Sequence, residues 1–310
     1  MGTPDFAVGT LKALVEAGHE VAAVVTQPDK PKGRSKELVF SPVKQEAVKL
    51  GIEVLQPEKA RNEEFIEKLR TYNADIFVVV AFGQLLPKSI IDMPRFGCVN
   101  VHASLLPEYR GASPIQWAVI DGCEYSGVTT MKMDEGLDTG DILLVKKVKL
   151  DKKETGGSLF DKLAEEGAAL LIRTLPSIAD GTAVYTKQPE ESPTPYAAMI
   201  SKKMGLMDFS KSAVELERLV RGLNPWPSAY TFLNGKTLKV WKCAVERAEC
   251  GKEAPGTIIG VDKSGIHVAC GSDTLILKEV QLEGKKRMET DAFLRGYQVT
   301  AGTMLKDHKE

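Results

Sequence analysis

Val21-Ala22-Ala23-Val24-Val25-Thr26 decides the fold. So apolar and β-branched a run reads as a strand buried on both faces. It follows a helical stretch in which Val8, Leu11, Leu14 and Val15 share one face and which Gly18 ends. Thr3-Pro4-Asp5 supplies the start of that helix, with Thr3 as N-cap and Pro4 in the first turn. The alternation continues outward. Helices are expected over 42–50 and 62–72, and strands over 52–55, 76–80, 98–102, 128–133 and 142–150. Strands alternating with helices imply crossovers and an α/β, Rossmann-like open parallel sheet. In such a sheet a central strand normally precedes the first helix. Here Met1-Gly2 leads directly into the helix, so the first strand is expected to be missing, as in a sequence that begins late.

A helix over 159–175 closes this domain, set at residues 1–181. Residues 182–200, rich in Pro, Thr, Gln and Glu at the start, read as a linker. Residues 201–310 form the second domain. Ser212 and Glu215 make a capping box for a helix ending near Leu223. Beyond Tyr230 short strands and turns dominate, with Asn234-Gly235 as a hairpin signal. Regular short strands of this spacing predict a small C-terminal β-barrel, OB-like in size.

Bulk properties exclude several classes. A chain of 310 residues accommodates two domains, and 43% hydrophobic with 27% charged residues is an ordinary globular composition. The net charge of -1 advertises no global field for nucleic acid, so any RNA contact must be local. Cys98, Cys123, Cys243, Cys250 and Cys270 form no Cys-x-x-Cys pair, which argues against a zinc site and a disulfide framework. The longest apolar run, 76–82, is too short to span a bilayer. A cytoplasmic protein without a metal is expected.

Asn100-Val101-His102 is the strongest chemical signal. Strand alternation puts Asn100 and His102 on one face, at the carboxyl end of a strand, where ligands bind in open α/β sheets. A carboxamide beside an imidazole suits an oxyanion forming on a carbonyl. The same pair serves equally well as buried polar groups that satisfy loop backbone. Downstream, Asp138 lies in Asp134-Glu135-Gly136-Leu137-Asp138-Thr139-Gly140-Asp141 and could orient His102; an acidic turn is the plainer reading. Gly136 breaks the EF-hand template, and a single Asp-Thr-Gly copy does not make an aspartic protease. Neither a Gly-x-Gly-x-x-Gly nor a Walker A sequence follows a strand. Cys98, in an apolar setting, reads as an inert core thiol.

Taken together, Asn100 to Pro107, Arg110-Gly111 and the 134–141 stretch resemble the folate-dependent formyltransferases. The resemblance covers essentially the whole chain. It implies direct acyl transfer from 10-formyltetrahydrofolate, with Asn100, His102 and Asp138 catalytic. It implies that Ser104, Leu105, Leu106 and Pro107 bind the folate, beside Phe82, Gly83, Leu85 and Leu86 at the pterin pocket. Gln27 to Lys44 resembles the loop with which the members acting on methionyl initiator tRNA enter the acceptor end. Lys30, Lys32, Arg34 and Lys36 are then the tRNA-binding residues. Asn224-Pro225-Trp226-Pro227 and Lys239-Val240-Trp241-Lys242 resemble the C-terminal barrel of the same members. Trp226 and Trp241 are expected in the barrel core, and Lys285-Lys286-Arg287 is a weaker phosphate candidate. Two other readings stay open: a formyltransferase for a small amine acceptor, and a folate- or RNA-binding protein without turnover.

Overall fold

A computed structural model describes residues 1–32, 37–247 and 253–309. The chain divides into two compact units. One holds Met1–Pro114, Tyr125–Lys149 and Phe160–Ala197; the other holds Ile115–Glu124, Leu150–Leu159 and Ala198–Glu310.

In the first unit, helix α1 (Val8–Glu16) follows a 3-10 turn at Asp5–Ala7. Thr3 does not cap it. Its hydroxyl instead donates to the Phe82 carbonyl at 2.9 Å, a contact across 79 residues that local sequence could not announce. Strand β1 (Val24–Val25) is followed by the antiparallel ribbon of β2 (Lys30–Lys32) and β3 (Glu37–Val39). Helix α2 (Pro42–Lys49) starts at Ser41, whose hydroxyl accepts from the Lys44 amide. Then come β4 (Val54–Leu55), which pairs parallel with β1, and α3 (Glu63–Arg70). Strand β5 (Phe77–Val79), the short α4 (Lys88–Ile91) and β6 (Cys98–His102) follow, and β5 and β6 pair parallel.

The rest of the sheet departs from a parallel arrangement. After α5 (Pro114–Ile120), β7 (Tyr125–Lys132) runs antiparallel to β6, and β8 (Ile142–Lys149) antiparallel to β7. The connection over 133–141 is shorter than the dozen or so residues that a parallel crossover needs, so the chain must reverse. The Rossmann-like expectation therefore holds with a mixed sheet. Helix α6 (Gly156–Ala179) covers it, and the buried Thr174 hydroxyl meets that of Thr130 at 2.9 Å.

Met1 and Gly2 lie between β1 and the end of β5. The Gly2 amide donates to Val25 O and the Val80 amide to Met1 O, both at 2.9 Å, so these two residues join β1 to the end of β5. A Cβ on Gly2 would lie 2.8 Å from Val80 O, which only glycine avoids. Beside them is a cavity of about 450 Å³, lined by Ala22, Ala23, Ile76 and Val78 from the two strand segments and by Leu11 and Ile178 from helices. None of the candidate site residues lines it.

In the second unit, α7 (Ala213–Gly222) begins with the expected capping box of Ser212 and Glu215. Strands β9 (Ala229–Leu233), β10 (Lys236–Glu246), β11 (Ile258–Asp262), β12 (Gly265–Ala269), β13 (Thr274–Leu282) and β14 (Met288–Glu289) precede α8 (Thr290–Gly296). Asn234 and Gly235 both take positive φ in the β9–β10 turn, as that dipeptide requires. The antiparallel order is β11-β12-β13-β10-β9, with β14 on β13. Both outer strands are covered by one late segment. The Ile258 amide bonds to Thr303 O, Leu305 N–H to Gly256 O, and Phe232 and Lys306 exchange two bonds. Residues 303–306 thereby close the sheet into a barrel and remove its free edges. Leu216, Leu238, Leu275 and Leu277 fill it, each wholly buried. Trp226 does not join them: it is 56% exposed between prolines. Trp241 is partly buried, under the Arg287 guanidinium.

Candidate functional site

Strand β6 is buried along its whole length and places Asn100 and His102 on one face, 8% and 7% exposed. The imidazole Nε2 lies 3.0 Å from the Tyr109 carbonyl. A carbonyl only accepts, so Nε2 carries a proton and Nδ1 is the nitrogen left facing the site. Nδ1 faces Asp138 Oδ1 at 3.6 Å. That is an ion-pair distance, too long for a hydrogen bond, and Nδ1 remains available to a substrate oxygen. The Asn100 carboxamide has no hydrogen-bond partner among the described residues. A nearly buried amide left open in this way is a group prepared for a ligand.

Asp138 reaches this place by an indirect route. Strand β7 ends beside the start of β6, where Met133 N–H donates to Cys98 O. The loop then doubles back along β6 toward His102, four residues or roughly 13 Å away by strand rise. Several devices hold it. The Asp134 carboxylate accepts from Gly136 N–H and from the Thr139 hydroxyl. Gly140 packs so closely on Lys132 O that a Cβ would lie 1.8 Å away. Asp138 itself takes φ 57°. Its Oδ2 accepts from Gly111 N–H at 2.9 Å.

The segment after β6 is built around Thr129 on β7. Its buried hydroxyl donates to Ser104 O at 2.7 Å and accepts from Leu106 N–H at 3.1 Å. Ser104 and Leu106 are buried, and the Ser104 hydroxyl is spent on Glu108 O. Leu105 and Pro107 are half-buried, and the Leu106-Pro107 peptide is cis. Parallel pairing of Val79 with Asn100 places the turn after β5 at the same edge of the sheet. There Phe82 and Leu86 are buried in the core, Gly83 takes φ 83°, and Leu85 is 75% exposed. The structure thus brings Asn100, His102 and Asp138 together and anchors the 104–107 segment behind them. Of the four residues expected at the pterin pocket, Phe82 and Leu86 serve the core.

Sequence reasoning missed the 182–197 stretch, expected as linker. Residues through Ala197 belong to the first unit. Thr186 exchanges two bonds with Ile142, Ser192 donates to Pro107 O, and Thr194 accepts from Tyr109 N–H. Gln188, only 6% exposed, is a glutamine that polar composition hid. The Arg110 it pairs with is equally buried.

The basic loop is placed in part. Lys30 is exposed and its backbone pairs with Val39. Lys32 closes β2. Arg34 and Lys36 lie outside the described residues. The stem is pinned by Asp29, which accepts from Lys44 at 2.5 Å and from Gln56 at 2.9 Å. Burial opposes its ionisation, but these two donors outweigh burial and hold the carboxyl below its usual range. In the barrel, Arg287 is committed to Glu279, leaving Lys285 and Lys286 as its exposed neighbours. Burial pushes the Cys98 thiol up to about 12, consistent with an inert core group.

The family described as Formyl transferase matches residues 1–175, and its C-terminal domain matches residues 199–298. A methionyl-tRNA formyltransferase of Lachnospira eligens is 67% identical over 309 residues, covering 98% of each chain. One of Clostridioides difficile is 50% identical over 305 residues, again covering 98% of each. Among solved structures, a sugar 3N-formyl transferase with dTDP and 5-N-formyl-THF superposes with TM-score 0.65 at 18% identity, covering 92% of this chain and 97% of that one. An N-formyltransferase of Helicobacter canadensis, in complex with folinic acid and dTDP-3-aminofucose, superposes at 0.63 and 18% identity over 89% and 97%. These two carry the fold alone.

Proposed function

This chain belongs to the formyl transferase family, and from that membership we propose that it transfers the formyl group of 10-formyltetrahydrofolate to the α-amine of methionyl initiator tRNA. The carrying observation is the meeting of Asn100, His102 and Asp138 in a chain aligned end to end with methionyl-tRNA formyltransferases. The folate supplies the formyl carbon. The open Asn100 carboxamide, the 104–107 segment held by Thr129 and the exposed Leu85 fit such a ligand: a polar donor beside apolar surface.

Asn100 Nδ2 and the proton on His102 Nδ1 would donate to the formyl oxygen as negative charge gathers there. Asp138, 3.6 Å from Nδ1, keeps the ring turned toward the site. Nε2, held on Tyr109 O, prevents the ring from flipping. The carboxylate is also placed to take the proton that the attacking amine must lose, directly or through a water, and to return it to N10 as the bond from formyl carbon to N10 breaks and tetrahydrofolate leaves. Lys30, Lys32, Arg34 and Lys36 would meet tRNA phosphates from the loop whose stem Asp29 and Lys44 fix. The reading includes action as a monomer in the cytoplasm, serving translation initiation.

The test is transfer of labelled formyl to charged initiator tRNA, with a small sugar amine as the rival acceptor. Labelling of the tRNA alone supports the proposal; labelling of the amine alone overturns it.

A further inference from the structure

We propose that Arg110 and Gln188 are positioning residues for catalysis: together they hold the Asp138 loop at the distance from His102 that turnover requires. The proposal rests on the function proposed above. Arg110 is 6% exposed, and its acceptors among the described residues are amide oxygens, not carboxylates. Nε and Nη2 both donate to Gln188 Oε1, at 3.1 and 3.0 Å. Nη1 donates to Glu190 O at 3.0 Å and Nη2 to Pro189 O at 2.7 Å. A guanidinium only donates, so it dictates which end of the Gln188 amide faces it. The amide nitrogen must then point the other way. It donates to Asp138 O at 3.0 Å and Gly140 O at 2.6 Å.

The first of those carbonyls belongs to Asp138 itself, the residue held at φ 57°, and the second lies two residues further along the same loop. An aspartate in the left-handed region is strained and persists only where its surroundings insist on it. The same arrangement controls the carboxylate from the opposite side, because Gly111, next to Arg110, donates to Asp138 Oδ2. One buried cation therefore ties the turn after His102 to the loop that carries its carboxylate partner. Neither Arg110 nor Gln188 is bonded to Asn100 or His102. Their effect on the reaction passes through Asp138.

Gln188→Glu separates positioning from folding. The glutamate keeps the volume and pairs with Arg110 as an ion, but it presents no donor to the loop carbonyls and repels them. We expect kcat, read well below the melting range, to fall about tenfold to hundredfold, the scale of a misplacement near 1 Å, with KM for both substrates within twofold and Tm lowered by the two carbonyls left without a donor. In the Asp138→Ala background, Gln188→Glu should cost nothing further, because the group it positions is gone. A Gln188→Glu enzyme with wild-type kcat overturns the proposal, as does an undiminished further loss in the Asp138→Ala background. Gln188→Met, which keeps shape without charge, must repeat the kcat loss; full activity there overturns the proposal too. Inactivity of the wild-type chain toward charged tRNA would instead be a failure of the proposed function.

Discussion

His102 Nδ1 and Asp138 Oδ1 face each other at 3.6 Å, while Nε2 of the same ring is held on the Tyr109 carbonyl. The imidazole is thus fixed in tautomer and orientation, yet its working nitrogen is not locked into a hydrogen bond. With Nδ1 protonated, a substrate oxygen can accept its hydrogen bond without a tight pair first being broken.

Asn100→Ala and His102→Ala should each lower kcat by about 10²–10³, the cost of losing one oxyanion donor. KM for folate and for tRNA should hardly move, since both contacts strengthen as charge develops. Steady-state kinetics with each substrate varied in turn makes the measurement. Full activity in either variant removes that residue from the chemistry.

Thr129→Val should destabilise the chain by roughly 1–3 kcal/mol and raise KM for the folate. The substitution keeps shape but strands the buried Leu106 N–H and Ser104 O, which now share one hydroxyl. Denaturant unfolding beside folate titration tests both halves. An unchanged folate KM would mean that the 104–107 segment is not part of that site.

Lys30→Ala should weaken charged tRNA binding and reduce the slope of log affinity against log salt by about one. Lys30 is exposed on the stem of the basic loop. Binding isotherms between low and moderate salt provide the slopes. Identical slopes would place the tRNA phosphates elsewhere.

The barrel should lose some stability in acid through Glu279. The hydrogen bonds and charge of Arg287 hold this carboxyl below its usual value of 4.5. A depressed folded pKa means that the unfolded chain binds the proton first. The contribution is therefore complete above 4.5 and disappears as pH falls through the folded value. The pair is partly exposed, so it is worth less than about 1 kcal/mol. Glu279→Gln should lower Tm above pH 4.5 and flatten its decline below pH 4.5, the difference from the parent chain vanishing once the folded carboxyl is protonated. An unaltered acid slope would show the pair to be neutral.

Features that depend on neighbours in the chain were determined by the sequence itself. Ser41 and Ser212 start their helices because a hydroxyl reaches the amide three residues on. Asn234-Gly235 turns because both residues tolerate positive φ. Asn100 and His102 share a face because strands alternate, whatever packs against them. Other features wait on partners far along the chain, which periodicity does not encode. Thr3 has the makings of a cap, but Phe82 O claims its hydroxyl. The second half of the sheet runs antiparallel, and Asp138 reaches His102 only because its loop folds back along β6. The polar run over 182–197 looks like a tether until Gln188 is seen closing the distance between Arg110 and the Asp138 carbonyl. Residues 303–306 seal a barrel whose edges begin at Phe232 and Gly256. In each case a buried donor or acceptor had to find a partner, and only the folded chain decided which one was within reach.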